Sequence, residues 1–199
     1  MKTQPSRRQH GFTLVELLVV IAIIAVLAGA GFAAGNAAIQ KARKTVAMAS
    51  AHAIESAVNN FYTEYGSMPK DNLTNDTKID TKNNVDFLNV LLGTETASTP
   101  LNTRSIKFLS VKEGKRVTGG GINGLVYNPG GSTVVGLFDP WGGPFYVMLD
   151  GNYDETLPNV TTGQAGAVSA TLNGRRCAVW SEGADYKSKK ATGDDVKTW

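Results

Sequence analysis

Apolar positions fall into two regimes along this chain. From Phe12 to Gly35 they run almost without interruption, 24 residues holding a single charge, Glu16. Beyond Gly35 they recur at helical spacing. Ile39, Ala42, Val46, Ala49, Ala53, Ala57 and Phe61 follow three- and four-residue steps, with Ile54, Val58 and Tyr65 beside them. Gln40, Arg43, Lys44, Ser50 and Asn59 fall on the opposite side. Gly66 and Pro69 end the pattern. The spacing predicts one helix of 54 residues, Phe12 to Tyr65. Its outer half carries an apolar stripe that needs a cover, and a sheet built from the rest of the chain is the natural one.

The remaining segments predict that sheet. "KDNLTNDTKIDTKNN" (70–84) reads as loop, and "VDFLNVLLG" (85–93) as a short helix stopped by Gly93. "SIKFLSV" (105–111) alternates like a strand, and "KRVTGGGINGLVYNPGG" reads as glycine-punctuated connection. "STVVGLFDPWGGPFYVMLDGNYDE" reads as strand, turn, strand. Asp139-Pro140 starts that turn, Gly142-Gly143 give it freedom, and Trp141 is an apolar plug beneath it. "RCAVWS" (176–181) is the next strand. The fold class expected is α+β, with three or four antiparallel strands on the outer half of the helix. No internal repeat is visible.

The first regime is long enough to span a membrane. Twenty-four helical residues rise roughly 36 Å, against about 30 Å of hydrocarbon. Lys2, Arg7 and Arg8 precede it, which puts Met1 on the cytoplasmic side and the remainder outside. An ordinary secretory signal has a shorter apolar core, of about 7–15 residues. Glu16 is out of place here: an acid at the centre of such a helix costs about 2.5–3.5 kcal/mol, less near its end. It reads either as a carboxylate reaching the interface or as one half of an ion pair. A cut after Gly11 would supply the cation, as a new amine on Phe12 one helical turn away or on the same residue of a neighbouring copy. In the second reading Glu16 sets the register of assembly.

Charge and composition narrow the function. Those three amino-terminal cations supply the whole net charge of +3, so nothing beyond Gly11 forms a basic face for nucleic acid. Cys177 is the only cysteine, which excludes an internal disulfide, and it reads as a small buried residue. His10 and His52 are the only histidines, and His52 reads as a helix-surface residue. No nucleophile–His–acid set, metal-spaced His/Cys cluster or phosphate loop is present. An enzyme is therefore not expected, nor is a small-molecule substrate.

Two acidic stretches remain. In "SEGADYKSKKATGDDVKTW", Asp185, Asp194 and Asp195 flank a loop with Lys187, Lys189 and Lys190. This is either a solvated loop neutralised by its lysines or a frame for a cation such as calcium, which takes about 6–8 oxygens in irregular geometry. "DGNYDE" places Asp150, Asn152 and Asp154 like the start of an EF-hand loop. However, Glu155 stands where that loop needs glycine and Thr161 where it needs glutamate, so a strand-end turn is expected.

"GFTLVELLVVIAIIAVLA" resembles the processing site of type IV pilins and type II secretion pseudopilins, although the proline common along that helix is absent. Gly29, Gly31 and Gly35 occupy its place, as a point where the helix loosens on assembly or as a close-packing surface. "DPWGGPFYV" followed by "SEGADYKSKKATGDDVKTW" resembles the major pseudopilins of type II secretion. The resemblance covers residues 7–35, 52–69 and 137–199, and leaves 70–130 as an insertion. It implies cleavage between Gly11 and Phe12 by a prepilin peptidase, N-methylation of Phe12, and pairing of Glu16 with a neighbour. It also implies calcium held by Asp185, Asp194 and Asp195, with backbone carbonyls near Ser181 and Glu182. The chain would then divide into a leader (1–11), a transmembrane and assembly helix (12–35) and a periplasmic domain (36–199), whose part 131–199 holds the sheet and the acidic loop. Implied partners are further copies of the chain, other pseudopilins, and an inner-membrane platform driven by a cytoplasmic ATPase. The implied role is a structural subunit polymerised from the inner membrane into a periplasmic filament that exports folded proteins. A type IV or minor pilin for adhesion, motility or DNA uptake is the alternative.

Overall fold

The computed structural model describes residues 12–161, 169–185 and 195–199; for residues 30–34 and 185 it describes the backbone alone. The chain divides into two compact units, Met1–Lys41 and Ala42–Trp199. Helix α1 (Leu14–Tyr65, 52 residues) begins in the first and ends in the second. It starts two residues later than expected and runs unbroken through the glycine cluster at 29–35. It ends at Gly66, whose φ of 67° turns the chain out of the helix while its N–H still reaches Tyr62 O.

In the first unit, the large apolar side chains from Phe12 to Leu27 are between 46% and 79% exposed. Among the described residues, no element of that unit covers them. Among the described residues no helix is long and apolar enough to cross a membrane. The expected span, 12–35, includes the five residues whose side chains are not described.

In the second unit the outer half of α1 lies in a core. The row that faces it is Ala47, Ala51, Ile54, Val58 and Phe61, with Ala57 beside it, all 0% exposed. This corrects the expected stripe, because Ile39, Ala42 and Ala49 are exposed. Alanine is apolar on every side of this helix, so spacing alone does not choose between neighbouring alanine rows. The large anchors Ile54 and Phe61 do.

The cover is an antiparallel sheet of four strands in the order β1-β6-β9-β10: β1 (Thr77–Asp80), β6 (Tyr146–Leu149), β9 (Cys177–Ser181) and β10 (Val196–Lys197). Period-two alternation turns Ile79, Val147, Leu149, Cys177, Val179 and Val196 into the main core. The other face builds a second, smaller core around Trp180, Ala178, Leu157 and Val160. There Tyr146 stacks on Trp180 at 5.6 Å between ring centres, and Trp199 meets Trp180 edge-on at 5.8 Å. Three two-stranded ladders complete the fold: β2 (Lys115–Val117) with β3 (Gly120–Ile122), β4 (Gly124–Tyr127) with β5 (Val134–Phe138), and β7 (Thr156–Val160) with β8 (Ala170–Asn173).

Several segments differ from their sequence reading. The loop 70–84 contains β1, the edge strand of the main sheet. The glycine-punctuated connection contains β2, β3 and β4. The strand, turn and strand around "DPWGG" are present as read, and the two strands take other partners: β5 pairs with β4, and β6 with β1 and β9. Residues 105–111 form no strand. Phe108 and Leu109 both donate their N–H to Leu91 O at 2.9 Å, which ties the segment to the end of α2 (Val85–Leu92) without a ladder, and the Phe108 ring meets Phe61 and Tyr65 of α1 at 5.5 and 6.1 Å between ring centres. Helix α2 is the one expected, and it stops at Gly93 in the left-handed region. A Cβ there would lie 2.6 Å from Ser105 O.

Asn102, 2% exposed, organises the insertion around α2. Its Nδ2 donates to Val90 O (2.8 Å) and Ile106 O (2.7 Å). Its Oδ1 accepts from Tyr65 Oη (2.8 Å) and Ile106 N (2.9 Å). All four bonds of the amide are thereby used. Because Ile54 is fully buried between α1 and the sheet, Ile54→Ala should destabilise residues 42–199 by about 2–5 kcal/mol in urea unfolding. A loss under 1 kcal/mol would show that the helix–sheet contact is loose.

Candidate functional site

The amino-terminal site is assembled by four consecutive residues. The Thr13 backbone N–H donates to Glu16 Oε2 at 2.8 Å, and the Glu16 N–H donates back to Thr13 Oγ1 at 3.2 Å. The Thr13 hydroxyl also donates to Oε2, at 2.8 Å. This reciprocal pair is a capping box, in which two otherwise orphaned donors at the helix start are satisfied. The signal was legible in "TLVE", a Thr followed three residues later by Glu at the head of an apolar run. The sequence reading of Glu16, as an interfacial carboxylate or half of an ion pair, weighed its charge and not its cap. Phe12, 77% exposed, is the last described residue before the cap. Gly11 and the rest of the expected leader lie outside the described residues.

The carboxyl-terminal site rests on Asp139, which is fully buried. Its Oδ1 accepts the N–H groups of Trp141 (2.9 Å) and Gly143 (2.8 Å), closing the turn between β5 and β6. Its Oδ2 accepts the Ser181 hydroxyl at 2.5 Å. Ser181 Oγ in turn accepts the Gly183 N–H at 3.1 Å. Asp139 thus ties "DPWGG" to the start of "SEGAD". Burial pushes its carboxyl up to about 6, against these hydrogen bonds, which pull it down. Trp141 is half-buried against the main core, as a partial plug.

Beyond Ser181, Glu182 is 1% exposed, and Gly183–Asp185 make one turn of 3-10 helix. Asp195 directly precedes β10, where Val196 pairs with Ser181 and Lys197 with Trp180. The pairing closes the base of the loop and brings Asp195 back to the strand end that carries Ser181 and Glu182. Asp194 lies outside the described residues, and the side chain of Asp185 is not described. Among the described residues no group of three acids, histidines or cysteines is placed to hold a metal ion.

The other candidates have structural roles. In "DGNYDE", Asp150 is 1% exposed and accepts the N–H groups of Asp154 (3.2 Å) and Glu155 (2.9 Å), while Asp154 accepts that of Thr156 (2.8 Å). The carboxylates close a turn, as expected. His52 is exposed and lies 3.3 Å from Glu55. Cys177 is buried, its Sγ 3.8 Å from Glu55 O, and burial pushes its thiol far above the usual range.

Comparison with known proteins bears on the first of these sites. Residues 6–32 match the prokaryotic N-terminal methylation motif. Over 64 residues the chain is 41% identical to the type IV major pilin protein PilE of Neisseria gonorrhoeae, covering 32% of this chain and 38% of the relative. It is 38% identical over 64 residues to a fimbrial protein of Neisseria meningitidis, with the same coverage. The chain thus spans under two-fifths of the length of the curated relatives it matches. No solved structure matches. Over these amino-terminal residues the chain is similar to type IV pilins and carries a methylation motif.

The raised carboxyl of Asp139 gives stability a definite pH dependence. An acid whose pKa rises from about 3.9 unfolded to about 6 folded binds more protons in the native state across that window. Its contribution is complete below about pH 4 and is lost as pH climbs through 6. Thermal melts of residues 42–199 should show that decline, and Asp139→Asn should flatten it. A variant that keeps the parent's slope would remove Asp139 as the titrating group.

Proposed function

We propose that this chain is a pseudopilin, cut between Gly11 and Phe12, N-methylated on Phe12, and polymerised from the inner membrane into a periplasmic filament that moves folded proteins outward. One observation carries the reading: an apolar helix, uncovered within its own unit, starts at a carboxylate already fixed by its cap. An exposed apolar surface of that extent needs lipid or other copies of the chain around it. Residues 12–35 serve both roles in turn, as a membrane anchor and then as the filament core. A new amine at Phe12 would stand beside the positive end of the helix dipole, an unfavourable place for a cation. The Glu16 carboxylate of a neighbouring copy relieves that repulsion and sets the axial offset between subunits. A prepilin peptidase, other pseudopilins and an inner-membrane platform with its ATPase are the partners this process requires.

Calcium belongs to the same proposal. Asp185, Asp194 and Asp195 would hold the ion, with backbone carbonyls near Ser181 and Glu182. The chemistry of the donors fits, since all are hard oxygens. The β9–β10 pairing supports the frame by joining the two ends of the loop. A bound ion would stiffen a loop that, with one cysteine in the chain, no disulfide can close.

A second reading, a type IV pilin, is favoured by the names of the relatives. The secretion reading is favoured by the Asp139–Ser181 link between "DPWGG" and "SEGAD" and by the lack of a second cysteine for a carboxyl-terminal disulfide. Deleting the gene separates them. Exported proteins held back in the periplasm support the first, and loss of long surface fibres with normal export supports the second.

Glu16→Gln isolates charge from cap, because glutamine also closes a capping box. The variant should insert and be cut ahead of Phe12, as read by mass spectrometry of the intact protein, yet yield less than a tenth of the parent's filaments. Normal filaments would reduce Glu16 to a helix cap. For calcium, an ion at about 100 times its dissociation constant should raise the melting midpoint of residues 42–199 by about 5–10 °C over chelator. Equal midpoints would remove the metal.

A further inference from the structure

The insertion between Pro69 and Leu101 bounds an open groove of about 680 Å³ that the sites above do not use. Its floor is apolar, with Phe87 buried and Leu101 half-buried. Its rim is acidic: Asp71, Asp86 and Glu95 line it against one cation, Lys70. Asp71 and Asp86 are exposed, and none of the three carboxylates enters an ion pair among the described residues. Glu95 is fixed in place by the N–H groups of Leu101 (3.0 Å) and Asn102 (2.8 Å).

The complement lies on α1. Between Glu16 and Glu55 that helix has no acid, while Lys41, Arg43 and Lys44 form a basic band. Ile39 and Arg43 are four residues apart and so share a face, and both are exposed. An exposed apolar side chain beside an exposed guanidinium matches an apolar floor with an acidic rim. Arg43 does not reach the groove of its own chain. Arg43 lies 22 residues before Tyr65 on an unbroken helix, about 33 Å away at 1.5 Å per residue. The groove is at the Tyr65 end, where Tyr65 Oη bonds to Asn102 beside it.

We infer that the groove receives the Ile39–Lys44 stretch of α1 from a second copy of this chain. Arg43 and Lys44 face Asp71 and Asp86, and Ile39 covers the floor. The contact joins two different surfaces, so it propagates from copy to copy and does not close into a dimer. It places the two copies roughly 33 Å apart along the helix direction, so it joins a more distant pair of subunits than the Glu16 contact, whose offset is about one helical turn. The inference rests on the polymer proposed above and adds to it a function for the insertion.

The test uses full-length chains with two different affinity tags, one carrying Arg43→Cys and the other Asp86→Cys, made together and oxidised. Cys177 is buried and does not interfere. A disulfide-linked species carrying both tags should form at least tenfold above a control pair of Arg43→Cys with Asn173→Cys. Asp71→Cys in place of Asp86→Cys repeats the measurement outside α2, so disruption of that helix does not imitate a negative result. Arg43→Glu should lower sedimentable filaments at least fivefold, and adding Asp71→Lys should restore them. Control-level cross-linking by both groove positions, in cells where the unaltered chain polymerises, overturns the groove contact and leaves the filament standing. Failure of the unaltered chain to polymerise overturns both.

Discussion

A helix cannot bury its own apolar side chains, and the remainder of the fold follows from how α1 meets that constraint. In the second unit it is met within the chain. Ala47 and Ala51 are small enough to let the helix approach the sheet closely, and Ile54, Val58 and Phe61 fill the space beyond them. In the first unit no element meets it, and Phe12 to Leu27 stay exposed. The same helix is thus a core element at one end and an unsatisfied surface at the other. An exposed apolar surface of that extent marks a site of interaction with a membrane or another protein.

The two ends of the helix also treat charge differently. At its start, Glu16 is held by Thr13, so the carboxylate has a fixed position before any neighbour arrives. A pre-positioned charge loses less freedom on binding than a mobile one. Along its middle, the helix carries Lys41, Arg43 and Lys44 and no acid, while Asp71, Asp86 and Glu95 line a groove at the Tyr65 end. In the proposed polymer both features act between copies of the chain.

The sheet has a comparable economy. Asp139 closes the β5–β6 turn with one carboxylate oxygen and fixes Ser181 with the other. The last strand, β10, is two residues long and pairs only with β9. Anything that tightens the loop between them acts on the strand that carries Trp180, the centre of the second core. Loop order and sheet order are coupled by construction.

The amino-acid sequence by itself determined the long helix, its end at Gly66, α2 with its glycine stop, the two strands β6 and β9, and the amino-terminal motif. These are local features: period 3.6, alternation, and residues whose backbone freedom or capping groups act within four positions. It also contained the capping box, which was legible and went unread because Glu16 was weighed as a charge alone. Only the tertiary structure decided which alanine row of α1 is buried, because every row is equally apolar until a sheet lies on one of them. It decided that β5 and β6 pair with other partners despite their tight turn, since ladder formation depends on which strand edges meet. It joined Asp139 to Ser181 across 42 positions, a contact no spacing rule reaches. It also shaped the insertion around α2 into a groove, because Asn102 gathers Tyr65, Val90 and Ile106 around one buried amide. Such pairings depend on the path of the whole chain, which short-range pattern does not encode.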